Sequence, residues 1–166
     1  MLAPEPRALP RAVAPETTHS RASLSILAAF PLAALVAFVS LVGILGHGSY
    51  AQETPNWAAQ GVGQDWADLL LAVPALAITG WLALRGSRRA LPVLAGVMLY
   101  TFYEFVVYGF AVHFNALFLA YCATLGVTFF SLAGLALRFA RDGSNAWYPA
   151  DPAIRTAGLF LSLIHI

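Results

Sequence analysis

Four times between Ser23 and Leu137 the chain strings together about 20 nearly uninterrupted apolar residues, the length a helix needs to cross a roughly 30 Å hydrocarbon layer. Inside lipid every backbone N–H and C=O must find its partner within the protein, so a run of this kind is read as a spanning helix. The runs lie at about 23–46, 66–84, 91–112 and 116–137. Together they predict an all-α, polytopic transmembrane helix bundle with four complete crossings. A last run, TAGLFLSLIHI, stops after about 11 residues, too few to cross. It reads as the start of a fifth helix (156–166) in a chain that ends inside it, and no function is placed on His165.

Composition agrees. Hydrophobic residues make up 60% of the chain and charged residues 10%, against roughly 25% charged in a soluble domain. The single cysteine, Cys122, excludes an internal disulfide, a CxxC redox pair and a cysteine-rich metal site. Residues 1–21 mix four prolines with Arg7, Arg11 and Arg21 and have no apolar periodicity; they read as a disordered arm ahead of a helical domain at 22–166.

All nine basic residues are arginine, and their placement sets an orientation. Three are in the arm, three in the RGSRR turn (Arg85, Arg88, Arg89), and Arg138, Arg141 and Arg155 follow the fourth run. The intervening loops have none. By the positive-inside rule the N-terminus is expected to be cytoplasmic, with residues 47–65 and 113–115 outside. Ser49 and Ala51 have the spacing of a leader cleavage site, but the apolar core before them exceeds the roughly 7–15 residues of a signal peptide. It is read as a spanning helix. Trp66 and Trp81 bracket the second run like interfacial anchors. Ser25, Ala29, Ala33 and Ala37, four residues apart, form a small-residue seam for another helix.

Polar residues inside the runs locate a candidate site. The third run, MLYTFYEFVVYGFAVHFN at its later end, contains Glu104. Its eleven Leu, Val and Phe residues, at roughly −0.3 to −0.6 kcal/mol each, offset the roughly 2.5–3.5 kcal/mol of a central acidic group, so the helix inserts. At about 100° per residue, Tyr100, Thr101, Glu104, Tyr108 and Asn115 share one face. On the fourth run Tyr121, Thr124, Thr128 and Ser131 form a facing stripe. Counting about 1.5 Å per residue, Glu104 lies roughly 22 Å above Arg89, and Asp68 roughly 25 Å above Arg85. The two acids are therefore expected at similar height in the outer half. A Glu104 carboxyl turned into the bundle is expected neutral or hydrogen-bonded, since burial and a neighbouring acid both disfavour its charge.

The candidate pocket is thus Asp68, Tyr100, Thr101, Glu104, Tyr108, Asn115, Tyr121 and Thr124, facing outward between the second, third and fourth helices. For most of these residues a plainer reading competes. Asp65 and Asp68 sit where a solvated helix start would place them, the tyrosine face suits packing, and the Thr/Ser stripe suits helix contact. His47 and His113 belong to no paired-histidine motif and are expected as interface residues, with no metal site. No nucleotide loop, nucleophile elbow or haem pair is present, so no cofactor is expected. The arginines are explained by topology, so no nucleic-acid partner is expected.

The stretches DLLLAVPALAI, RGS, the Tyr-rich helix (Tyr100, Tyr103, Tyr108, Gly109) and FNALFLAY (Phe114, Asn115, Leu117, Phe118, Tyr121) resemble a family of bacterial multi-pass membrane proteins without assigned activity. Asp68, Pro74, Arg85, Gly86 and Ser87 also match that pattern. The family often carries a neutral polar residue such as Asn where Glu104 stands, so the resemblance implies polarity there more than charge. Three functions stay open: a pocket for a solute, a proton or a partner protein within the bilayer; an intramembrane enzyme with an Asp68/Glu104 acid–base pair; and a structural or assembly subunit of a membrane complex.

Overall fold

A computed structural model describes residues 24–46 and 48–141. The arm, His47 and the expected partial fifth helix lie outside the described residues. Within them the chain forms four helices and no strand: α1 (Leu24–Leu45), α2 (Pro55–Leu84), α3 (Ala90–Ala111) and α4 (Phe118–Arg141). Each is long and apolar enough to cross a membrane.

Which residues face outward makes the same point. Phe110, Leu119, Phe130, Phe114 and Leu71 are each at least 70% exposed, while Asp65, Asp68, Thr101, Thr124 and Thr128 are fully buried. A soluble protein rarely exposes so much contiguous apolar surface. In lipid that surface is the solvated one.

α1 packs mainly on α2 and α4, and α3 on the same two, so the helices close into an up-down-up-down ring. The small-residue row of α1 is the seam that allows close approach. A Cβ at Gly80 of α2 would come within 2.7 Å of the Ala29 Cβ, and one at Gly134 of α4 would strike the Ser25 hydroxyl. Backbones this near each other are held by van der Waals packing, the main attraction left when the solvent is itself apolar. Leu32, Val36, Leu76, Leu94 and Met98 fill the interior at 0% exposure.

Turns follow local chemistry. The RGS turn ends α2 with Gly86 at φ +86°, the Gly86 N–H on the Ala83 carbonyl and the Ser87 N–H on the Leu82 carbonyl. This is the hydrogen-bond pattern of a Schellman cap. Pro92 falls in the first turn of α3, where its missing N–H has no intrahelical partner to lose. The Asn115 carboxamide oxygen takes the Leu117 N–H at 2.9 Å and starts the turn into α4.

One expectation is corrected. α2 begins at Pro55, not near Trp66, so residues 55–65 are helix and not loop. Thr54 is its N-cap, accepting the Trp57 N–H, and Pro55 takes the first position, the usual roles of those residue types. At 30 residues α2 is about 45 Å long. Its polar first third therefore stands beyond what a bilayer requires. Asp65 and Asp68 are consequently not at a helix start at all. They lie in its middle, fully buried.

Between them and Pro74 the helix widens into a π-turn at Asp68–Ala72, with the Val73 N–H reaching back to the Asp68 carbonyl. Pro74 has no N–H for the Leu70 carbonyl and its ring crowds that turn. Opening the coil by one residue absorbs the ring, and π-turns of this kind often mark functional positions.

Candidate functional site

At the end of the bundle away from the arginines, two buried carboxyl clusters lie one turn apart along α2. The first centres on Asp65. Tyr50, in the α1–α2 connection, donates its hydroxyl to Asp65 Oδ2 at 2.8 Å, and Tyr108 of α3 donates to Oδ1 at 3.1 Å. Each carboxylate oxygen thus takes one phenol hydroxyl, and the two hydroxyls also lie 3.3 Å apart, Tyr50 toward Tyr108. Burial pushes the Tyr50 phenol above its ordinary range, so it remains a donor. Gly43 of α1 leaves the room: a Cβ there would collide with Asp65 Oδ2. Gly61 does the same for the Tyr50 ring, at 2.7 Å. Tyr108 in turn stacks on Tyr121 of α4, centroids 5.3 Å apart, beside Phe105.

The second cluster is Asp68 with Glu104. The two carboxyls are neighbours within mutual hydrogen-bonding reach. Asp68 Oδ1 takes the Tyr100 hydroxyl at 3.3 Å and the Gln64 amide at 3.4 Å, while Gln64 also bonds Tyr100. Asp68 Oδ2 and both Glu104 oxygens are buried with no hydrogen-bond donor. Glu104 is 6% exposed. Buried carboxyl oxygens left without partners are strongly unfavourable. Among the described residues of the same helix pair no arginine is near: Arg89 is fifteen residues down α3, roughly 22 Å away.

Glu104 also lines a cavity of about 250 Å³ between the polar first third of α2 and the last turns of α3. Around it stand the rings of Tyr50, Trp57, Tyr100, Tyr103 and Tyr108, with Gln60 and Gln64. No group of three His, Cys, Asp or Glu among the described residues is arranged to hold a metal ion.

Of the eight candidates read from the sequence, the structure brings Asp68, Tyr100, Glu104 and Tyr108 together. Tyr121 stacks behind Tyr108 without lining the cavity, and the other three are engaged elsewhere. Thr101 and Thr124 bond the Val97 and Ala120 carbonyls of their own helices. Asn115 donates to the Ser49 carbonyl and to the Tyr121 hydroxyl, tying the α3–α4 turn to the α1–α2 connection. Accordingly, α4 contributes no lining residue; the α1–α2 connection takes the place expected of it. The Thr/Ser stripe is a packing face, its hydroxyls turned back on the preceding turn.

Asp65, Tyr50, Gln64 and Trp57 were missed. The Thr54–Pro55 pair was the available signal, since a helix starting there puts Gln64, Asp65 and Asp68 on adjoining faces of one element.

Above the cavity, His113 meets Glu53: its backbone N–H and its Nδ1 both approach Oε1, at 2.7 and 2.9 Å. That backbone N–H, more than the ring, holds the Glu53 carboxyl below its usual range. Comparison with known protein families, curated proteins and solved structures finds no match.

Proposed function

We propose that this membrane protein binds a small organic cation, a protonated amine or quaternary ammonium, in the pocket at Glu104, as part of handling that solute. The observation carrying the reading is Glu104 itself: buried beside a cavity that it helps to line, with no hydrogen bond made to either oxygen. Two neighbouring buried carboxyls cannot both stand ionised, so at rest a proton bridges the pair. An ammonium group supplies the missing positive charge and displaces that proton. Aromatic faces stabilise it further, as they do in other ammonium sites.

The arginine placement supports an orientation with the N-terminus cytoplasmic and the pocket open to the outside of a bacterial inner membrane. Exchange of a proton for an external cation is then the elementary step. A second reading, an acid–base pair acting on a substrate within the membrane, draws on the same Asp68–Glu104 contact; it calls for turnover, which binding alone does not.

The test is calorimetric titration of the protein in nanodiscs with tetramethylammonium. Wild type is expected to bind, and Glu104→Gln to bind at least about tenfold more weakly, the loss of one charged contact. Equal affinity in the two proteins would remove Glu104 from the site.

A further inference from the structure

The α2–α3 groove does not end at the Glu104 pocket. Beyond Tyr100, on the arginine side, it continues as a second hollow of about 550 Å³ whose walls include Leu71, Ala75, Val93, Gly96 and Val97. Tyr100 lines both spaces, so they lie end to end along one groove. Their characters differ sharply. The upper space has Glu104, the amides and the aromatic rings on its walls; among the described residues the lower one has Tyr100 as its sole polar side chain.

Size points the same way. Small-molecule sites run to about 300–1,000 Å³, so the upper cavity of about 250 Å³ suits a headgroup and not a whole ligand. The lower trough extends about 10 Å along α3 from Tyr100 to Val93. Leu71 and Val93 are 70% and 54% exposed on its rims, which opens it sideways to lipid. A molecule lying in both would have its charged end near the membrane surface and its tail toward the midplane, the posture of a lipid in that leaflet.

We propose, resting on the cation reading above, that the natural ligand is an amphiphile: an ammonium head at Glu104 joined to an alkyl chain in the Leu71–Val93 trough, reached laterally from the bilayer. Charge complementarity selects the head, since the trough leads to an acidic pair and no described residue lining either space is basic. Gly96 is central to the chain's path, and a Cβ there would meet nothing within 4 Å. A larger side chain at this position fills the trough without disturbing the bundle, and replacing glycine favours the helix.

The experiment uses the full chain in phosphatidylglycerol nanodiscs, which offer no competing ammonium lipid. The probe is dodecylamine carrying a diazirine near its tail, with labelled peptides mapped by mass spectrometry. Labelling is expected within 67–75 and 93–97 of the wild type, falling at least about fivefold in Gly96→Leu as the chain loses its burial. It should fall about tenfold in Glu104→Gln as the head loses its charge partner. Gly96→Leu should retain wild-type tetramethylammonium affinity. If tetramethylammonium binds but the trough is unlabelled, or labelled equally in Gly96→Leu, the amphiphile is overturned and the cation site stands. If tetramethylammonium fails to bind wild type, both fall. A cross-link from the trough to residues 142–166 or to a second copy, with no probe bound, would show protein and not lipid in the groove, and also overturns the proposal.

Discussion

Asp65 and Glu104 are both buried acids, yet the fold finishes one and leaves the other open. Each Asp65 oxygen receives a phenol hydroxyl, and Gly43 lets α1 close over it. Glu104 has an acid for a neighbour, no hydrogen bond made to either oxygen, and a cavity beside it. What separates them is whether the surrounding helices supply the protons. A completed carboxylate ties three segments together. An uncompleted one is a place for something from outside the chain, and four substitutions can break or sharpen that contrast.

The largest effect is expected at Asp65. Asp65→Ala leaves the Tyr50 and Tyr108 hydroxyls only their long 3.3 Å contact with each other, and a buried polar group that loses its main partner costs about 1–3 kcal/mol. A loss of about 3 kcal/mol is expected in reversible unfolding in mild detergent. A loss under about 1 kcal/mol would mean the cluster is not a structural tie. Glu104→Gln should do the reverse: little or no loss of stability in the same assay, because the amide can donate to the Asp68 oxygens, together with the loss of ammonium binding described above. Stability falling as far as in Asp65→Ala would make the two acids equivalent.

How far these differences could be read in advance depends on the kind of signal each leaves. The four crossings and the seam at Ser25, Ala29 and Ala33 follow from run length and residue size, which are local and repeated. Glu104 stood out because an acid in an apolar run is rare. Asp65 did not, because residues 55–65 are polar enough to pass for loop, and only Thr54 and Pro55 betray the helix that carries them. Its inward aim depends on where the chain returns Tyr50 and Tyr108, a matter of tertiary packing. Thr101 and Thr124 are buried on α3 and α4, while Asn115, expected on the polar face of the third helix, lies past the end of α3 in the turn. Nothing in spacing alone, however, tells a hydroxyl that bonds its own helix from one that faces a cavity.

Tyr108→Phe should be milder than Asp65→Ala, since Tyr50 still serves one oxygen; about 1 kcal/mol is expected for a single hydrogen bond. Its effect on ammonium affinity should be small beside that of Glu104→Gln. An effect as large as that of Glu104→Gln would join the two clusters into one site.

The smallest effect belongs to Glu53 and His113 at the membrane surface. A carboxyl held below its ordinary range in the folded protein contributes stability that is complete above the ordinary range and is lost as pH falls through the lowered value. In NMR spectra the His113 amide should therefore shift on acidification in wild type and not in Glu53→Gln. A shift present in both would assign it to another group.

The most direct measurement is infrared difference spectroscopy on the nanodisc-embedded protein, before and after tetramethylammonium. A protonated-carboxyl band is expected at rest, vanishing as the cation binds, missing from Glu104→Gln and retained in Asp65→Asn. A band that survives the cation, or that disappears with Asp65 and not with Glu104, would contradict the assignment of the open site to the Asp68–Glu104 pair.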